Sequence, residues 1–150
     1  MTRSDQSASS RSRKGHKEAK ILIKIPSEIR YIKEVWLRIL TDLKPYNLDP
    51  DTLFDIRLCV EEALRNAVVH GNSSDDRLFV NVSYWVKAAD FNIEIEDEGS
   101  GFDHRLIPDP TTDDNIMKSS GRGVYLIKNL MDRVEFNKAG NMVKMVKHLK

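Results

Sequence analysis

The sequence predicts an α+β fold: a two-layer α/β sandwich whose mixed, mostly antiparallel sheet carries its helices on one face. Three observations predict it. The periodicities run strand, helix, helix, strand, strand, helix, strand, strand, so the later strands come as hairpins and not as βα repeats. Turn signals near Lys87–Asp90 and Ala139–Asn141 join those hairpins. The 150 residues, 40% hydrophobic and 31% charged, suit one ordinary domain with a single core. A doubly wound parallel sheet is not expected.

Residues Met1–Ala19, MTRSDQSASSRSRKGHKEA, hold almost nothing apolar. They cannot bury enough surface to offset ordering entropy, which predicts a disordered, basic, Ser-rich tail before a folded domain over residues 20–150. Ile21, Ile23 and Ile25 alternate with Leu22 and Lys24, the period of a strand, which Pro26 ends. Ser27 is the expected cap of a helix reaching about Leu43, with Ile29, Ile32, Val35, Trp36, Ile39 and Leu40 at helical spacing. The segment KPYNLDPD breaks it. Asp49 or Asp51, with Pro50 between them, opens a second helix ending at His70, and Gly71-Asn72 closes it. Strands are expected over Leu78–Val86 and Phe91–Asp97. After a polar stretch, His104–Ser120, GRGVYLIKNLMD reads as a third helix, and Arg133–Asn137 and Met142–Leu149 as a closing hairpin.

Composition excludes several function classes. A net charge of +1 leaves no global footprint for nucleic acid. No apolar run approaches the roughly 18 to 20 residues that span a bilayer, and the N-terminus lacks the apolar region of a signal peptide. The single cysteine, Cys59, excludes an intramolecular disulfide and a multi-cysteine zinc site. Its helical setting predicts a buried, inert thiol. Together these features predict a cytoplasmic protein.

The informative stretch is EEALRNAVVHGN. Its helix must bury an apolar face, made by Leu53, Ile56, Val60, Ala63 and Ala67, yet Glu62, Asn66 and His70 recur every four residues along another. Residues four apart on a helix are neighbours, so Glu62 and Asn66 can aim at one point. Both offer hard oxygen donors of the kind Mg²⁺ prefers, and Mg²⁺ keeps water and phosphate oxygens as further ligands. A second signal, DEGSGFD, follows directly on the apolar strand FNIEIE. Asp97-x-Gly99-x-Gly101 puts a carboxylate at the strand end, with two residues lacking Cβ beyond it, where backbone can approach a flat ligand. That carboxylate can accept a hydrogen bond from an exocyclic amino group. A third signal, SSGRGV, places Gly121 and Gly123 at a helix start, where backbone N–H groups and the helix dipole favour an anion. The pattern is neither a Walker loop nor a Rossmann fingerprint.

The set E-x-x-x-N, D-x-G-x-G, G-x-G resembles the Bergerat fold, the ATP-binding fold shared by gyrase, Hsp-type chaperones, histidine kinases and MutL. Within it, EEALRNAVVHGN, DEGSGFD and SGRGVYLIKNLMDRVEFN, with the closing MVKHL, resemble the small anti-sigma-factor serine/threonine kinases of bacterial partner-switching pathways. The resemblance covers about Ile21–Leu149. It implies ATP and Mg²⁺ as cofactors. It also implies Glu62 as general base toward a serine or threonine hydroxyl, Asn66 as the Mg²⁺ ligand, and Asp97 at the adenine amino group with Gly99 and Gly101 making room. His104–Ser120 would be the ATP lid, and Gly121, Arg122 and Gly123 the phosphate cradle. The implied partners are a sigma factor and a small anti-sigma-factor antagonist, with a homodimer common among such proteins. Relatives often carry Gly-Thr where this chain reads Gly140-Asn141-Met142. A module that binds ATP and a partner without phosphoryl transfer is the alternative, and retention of Glu62 and Asn66 argues against it. A histidine-kinase catalytic domain is not expected, because the residues before Ile21 are too few for a phosphoacceptor helix pair.

Overall fold

The computed structural model describes residues 19–99 and 119–149. Elements follow in the order β1 (Ile21–Pro26), α1 (Ile32–Leu43), α2 (Pro50–Arg65), β2 (Phe79–Lys87), β3 (Asp90–Glu96), α3 (Ser119–Leu130), β4 (Arg133–Phe136) and β5 (Met142–His148). The strands form one five-stranded sheet in the order β1-β2-β3-β5-β4. The two-layer α+β expectation holds. The sheet is simpler than a mixed one, since every ladder among the described residues is antiparallel. The expected tail lies almost wholly outside the described residues.

Alternation decides which sheet face is covered. Ile25, Val80, Val82, Tyr84, Phe91, Ile93, Ile95, Val143 and Met145 are buried on the helix side. On the other face Leu22 is 74% exposed, and Lys20 and Lys144 lie over the Trp85 ring at 4.2 and 5.5 Å. Lysine stems there cover aromatic surface while their charges stay wet. α2 packs between α1 and α3. On the inner face of β5, Lys147 Nζ reaches Asp55 of α2 at 3.2 Å and the Leu130 carbonyl closing α3 at 2.6 Å, joining both helices to the sheet.

Helix starts differ in an instructive way. Asp49 is the cap of α2, its Oδ1 accepting the Thr52 N–H at 2.7 Å with Pro50 at the first position. Ser27 does not cap α1. A 3₁₀ turn, Ile29–Tyr31, precedes that helix, and no side chain caps it. The Ser27 hydroxyl is buried instead: it donates to the Leu78 carbonyl at 2.8 Å and accepts from Asn72 at 2.7 Å. A buried amide at Asn72 needs a partner more than an exposed helix end does.

α1 turns Ile32, Val35, Trp36, Ile39 and Leu43 into the core, so its apolar stripe serves packing. Along α2 and just beyond it, Ile56, Cys59, Val60, Ala63, Leu64, Ala67 and Val68 are buried, while Leu53 is half-buried. Burial pushes the Cys59 thiol up to about 12, with the Asp55 carboxylate adding to the effect. It is the inert thiol expected. Ile56 is fully buried under the sheet. Ile56→Ala is therefore expected to cost about 2–5 kcal/mol, from lost transfer energy plus the cavity left behind. A shift in the denaturant midpoint at unchanged slope measures it.

Candidate functional site

The site forms where α2 ends. The helix does not stop at Arg65: a π-helical turn, Asn66–Gly71, continues it, and the Asn72 N–H reaches back five residues to the Ala67 carbonyl at 2.9 Å. Such a turn holds one residue more than an α turn and is frequent at functional sites. It delivers Gly71 against the end of β3. A Cβ on Gly71 would lie 2.2 Å from Asp97 Oδ2, and one on Gly99 would lie 1.9 Å from the Gly71 carbonyl oxygen. These contacts need glycine at both positions.

Asp97 is 8% exposed. Its N–H donates to the Asn141 carbonyl at 2.9 Å, and its own carbonyl accepts from the Asn141 side-chain amide at 3.1 Å. The Gly99 N–H donates to Oδ1 at 2.9 Å. Asn141 is held in turn by Asn137, whose amide nitrogen donates to its oxygen at 2.7 Å. The Asn137 oxygen accepts the N–H groups of Gly140, Asn141 and Met142. Burial raises the Asp97 carboxyl above its ordinary value, against the lowering effect of the Gly99 N–H. A folded-state value above the unfolded one favours folding at low pH, and that contribution is lost as pH rises through the folded value. Asp97→Asn is therefore expected to raise Tm at pH 7. The gain should shrink as pH falls through the carboxylate range, as thermal melts at a series of pH values would show.

Beside Asp97 opens a cavity of about 220 Å³. Ala63, Ala67, Ile95, Val124, Ile127, Phe136 and Val143 supply apolar walls, and Asn66, His70, Asp97 and Asn141 the polar groups. A mostly apolar cavity with one buried carboxylate suits a heteroaromatic ring carrying an exocyclic donor.

The far wall is the first part of α3. A Cβ on Gly123 would lie 2.9 Å from Glu62 Oε2 and 3.2 Å from Asn66 Nδ2. Glu62 and Asn66 thus meet at one point, as their spacing implies, and a side chain at residue 123 would press on both. α3 begins at Ser119, two residues before the expected start, which puts Gly121 and Arg122 in its first turn and Gly123 just beyond. Gly101, and the expected lid except its last two residues, lie outside the described residues. Among the described residues no group of three or more His, Cys, Asp or Glu could hold a metal ion. Asn66 fits Mg²⁺ only as one oxygen donor to an ion whose other ligands come from phosphate and water.

Single-sequence reading missed Gly71, Asn72 and Asn137. Gly71-Asn72 reads as an ordinary helix stop, and nothing local tells that both residues touch the Asp97 loop.

The chain matches the histidine kinase-like ATPase domain family over residues 25–147. It is 27% identical over 142 residues to serine-protein kinase RsbW of Staphylococcus aureus strains JH9 and Newman, covering 89% of each chain. The crystal structure of the RsbU and RsbW domains of Rv1364c from Mycobacterium tuberculosis shares the fold. The TM-score is 0.61 at 16% identity, over 87% of this chain and 32% of that one. The chain belongs to the histidine kinase-like ATPase domain family. Its similarity within that family runs to serine-protein kinases named RsbW. Among the described residues no helix is long and apolar enough to cross a membrane.

Proposed function

We propose that this chain is an ATP-dependent protein serine/threonine kinase and anti-sigma factor that phosphorylates a small anti-sigma-factor antagonist. The convergence of Glu62 and Asn66 at Gly123 is the observation that supports the reading most. A module that only bound nucleotide would need the slot and Asp97, but no second carboxylate beside the metal-binding amide.

In this reading Asp97 accepts a hydrogen bond from the adenine amino group, and the apolar walls of the cavity enclose the base. Asn66 would hold Mg²⁺, which would supply neutralisation of the phosphate charge. Gly121, Arg122 and Gly123 lie along the triphosphate, near the positive end of α3. Gly101 makes room beside the base. Glu62 takes the proton from the acceptor hydroxyl as the new P–O bond forms and the γ-phosphoryl group parts from ADP, a task suited to a carboxylate because the free hydroxyl does not ionise near neutral pH. Phosphorylation lowers the antagonist's hold on the kinase and frees the kinase to bind a sigma factor. The protein works in the cytoplasm, as a homodimer, without contacting nucleic acid.

The test is phosphoryl transfer from γ-labelled ATP and Mg²⁺ to candidate antagonist domains. Label on a serine or threonine of one candidate supports the reading. ATP binding with no label on any candidate overturns the kinase assignment and favours sequestration alone.

A further inference from the structure

Behind the Asp97 loop runs a closed ring of hydrogen bonds that phosphoryl transfer does not use. Asn72, 1% exposed, donates from Nδ2 to the Phe79 carbonyl at 2.9 Å. Its Oδ1 accepts the Glu98 N–H at 2.8 Å. The Glu98 carboxylate accepts the Phe79 N–H at 2.6 Å and so closes the ring. Both backbone groups of Phe79 are thereby engaged, one by each partner. Ser27 touches the Asn72 amide from outside the ring and is not a member of it.

The ring lies between the two halves of the recognition wall. Asn72 directly follows Gly71, and Glu98 separates Asp97 from Gly99. The backbone after Asn72 is left-handed at Ser73 and Ser74, with φ of 52° and 55°. Non-glycine residues hold that conformation only where the surroundings over-determine it. A carboxylate recognises a donor only within a narrow range of distance and angle, so the backbone at Asp97 and Glu98 must be fixed for recognition to be selective.

We propose that Asn72 and Glu98 are positioning residues for base discrimination: their ring with Phe79 holds Asp97 where it favours a 6-amino purine over a 6-oxo purine. The inference rests on the ATP-binding reading of the site.

The experiment measures Kd for ATP and for ITP, with Tm, on the full chain and on Asn72→Ala, Glu98→Ala and Ser27→Ala. The unaltered protein is expected to prefer ATP by about tenfold or more, the loss typical of one hydrogen bond to a charged group. In Asn72→Ala and Glu98→Ala the ITP/ATP ratio falls toward one. Ser27→Ala removes two hydrogen bonds outside the ring, to the Leu78 carbonyl and from the Asn72 amide, so it lowers Tm and keeps the ratio. Glu98 is exposed, so its variant folds and decides alone if Asn72→Ala does not. An unchanged ratio in the ring variants overturns the proposal, as does an equal loss in Ser27→Ala. A ratio near one in the unaltered protein overturns the assignment of Asp97 to the adenine amino group itself.

Discussion

Glu62→Ala is expected to slow phosphoryl transfer to the antagonist by about 10²–10⁴-fold, the usual worth of a positioned general base, while ATP affinity changes little. Glu62 does not line the base cavity. It stands on the α3 side, against Gly123, so its loss removes a proton acceptor and leaves the base slot intact. Asn66→Ala should behave differently. Asn66 both lines the cavity and faces Gly123, and its proposed work is done through Mg²⁺. Its variant should lose ATP affinity when Mg²⁺ is present and match the unaltered protein when EDTA removes the metal. Nucleotide titrations with and without Mg²⁺, beside single-turnover transfer rates, separate the two roles. Transfer at the original rate in Glu62→Ala would remove Glu62 from the chemistry.

Gly71→Ala is expected to abolish useful ATP binding through sterics alone. The new Cβ would sit 2.2 Å from Asp97 Oδ2 and 2.3 Å from its Cγ, well inside van der Waals contact. The Asp97 backbone cannot easily retreat, because it is bonded on both sides to Asn141, so its carboxylate must turn away. Gly71 cannot retreat either, because Gly99 already touches its carbonyl. Overpacking of this kind costs about 1–3 kcal/mol of stability, and it displaces the carboxylate proposed to read the base. An affinity loss of at least tenfold, with a folded far-UV spectrum, is the expected result. ATP binding at the original strength would show that Asp97 is not the adenine contact.

Much of this was legible in the residues because it is local. The isoleucine alternation of β1, the Asp49-Pro50 start of α2 and the four-residue spacing of Glu62 and Asn66 each rest on a few adjacent positions. The closing hairpin was legible for the same reason, and its strands fall within a residue of expectation. What escaped was long-range. Ser27 looks like a helix cap until Asn72, 45 residues away, is seen to engage its hydroxyl. Gly71 looks like a stop signal until β3 is placed beside it. The π turn was unreadable because Asn66–Gly71 has the composition of an ordinary helix end. What the turn does is place Gly71 against a strand that comes later in the chain.

That wide turn has a consequence for how such a site can diverge. Upstream of it the helix bonds in steps of four, and within it in steps of five, so one continuous rod carries two frames offset by a residue. Glu62 belongs to the first frame; Asn66, whose N–H still bonds the Glu62 carbonyl, opens the turn; and Gly71 and the Asn72 N–H follow the second. Gain or loss of a single residue within the turn would re-aim Gly71 and Asn72 and leave Glu62 in place. Under the proposed roles, nucleotide preference and acceptor chemistry could therefore drift separately among descendants of one ancestor.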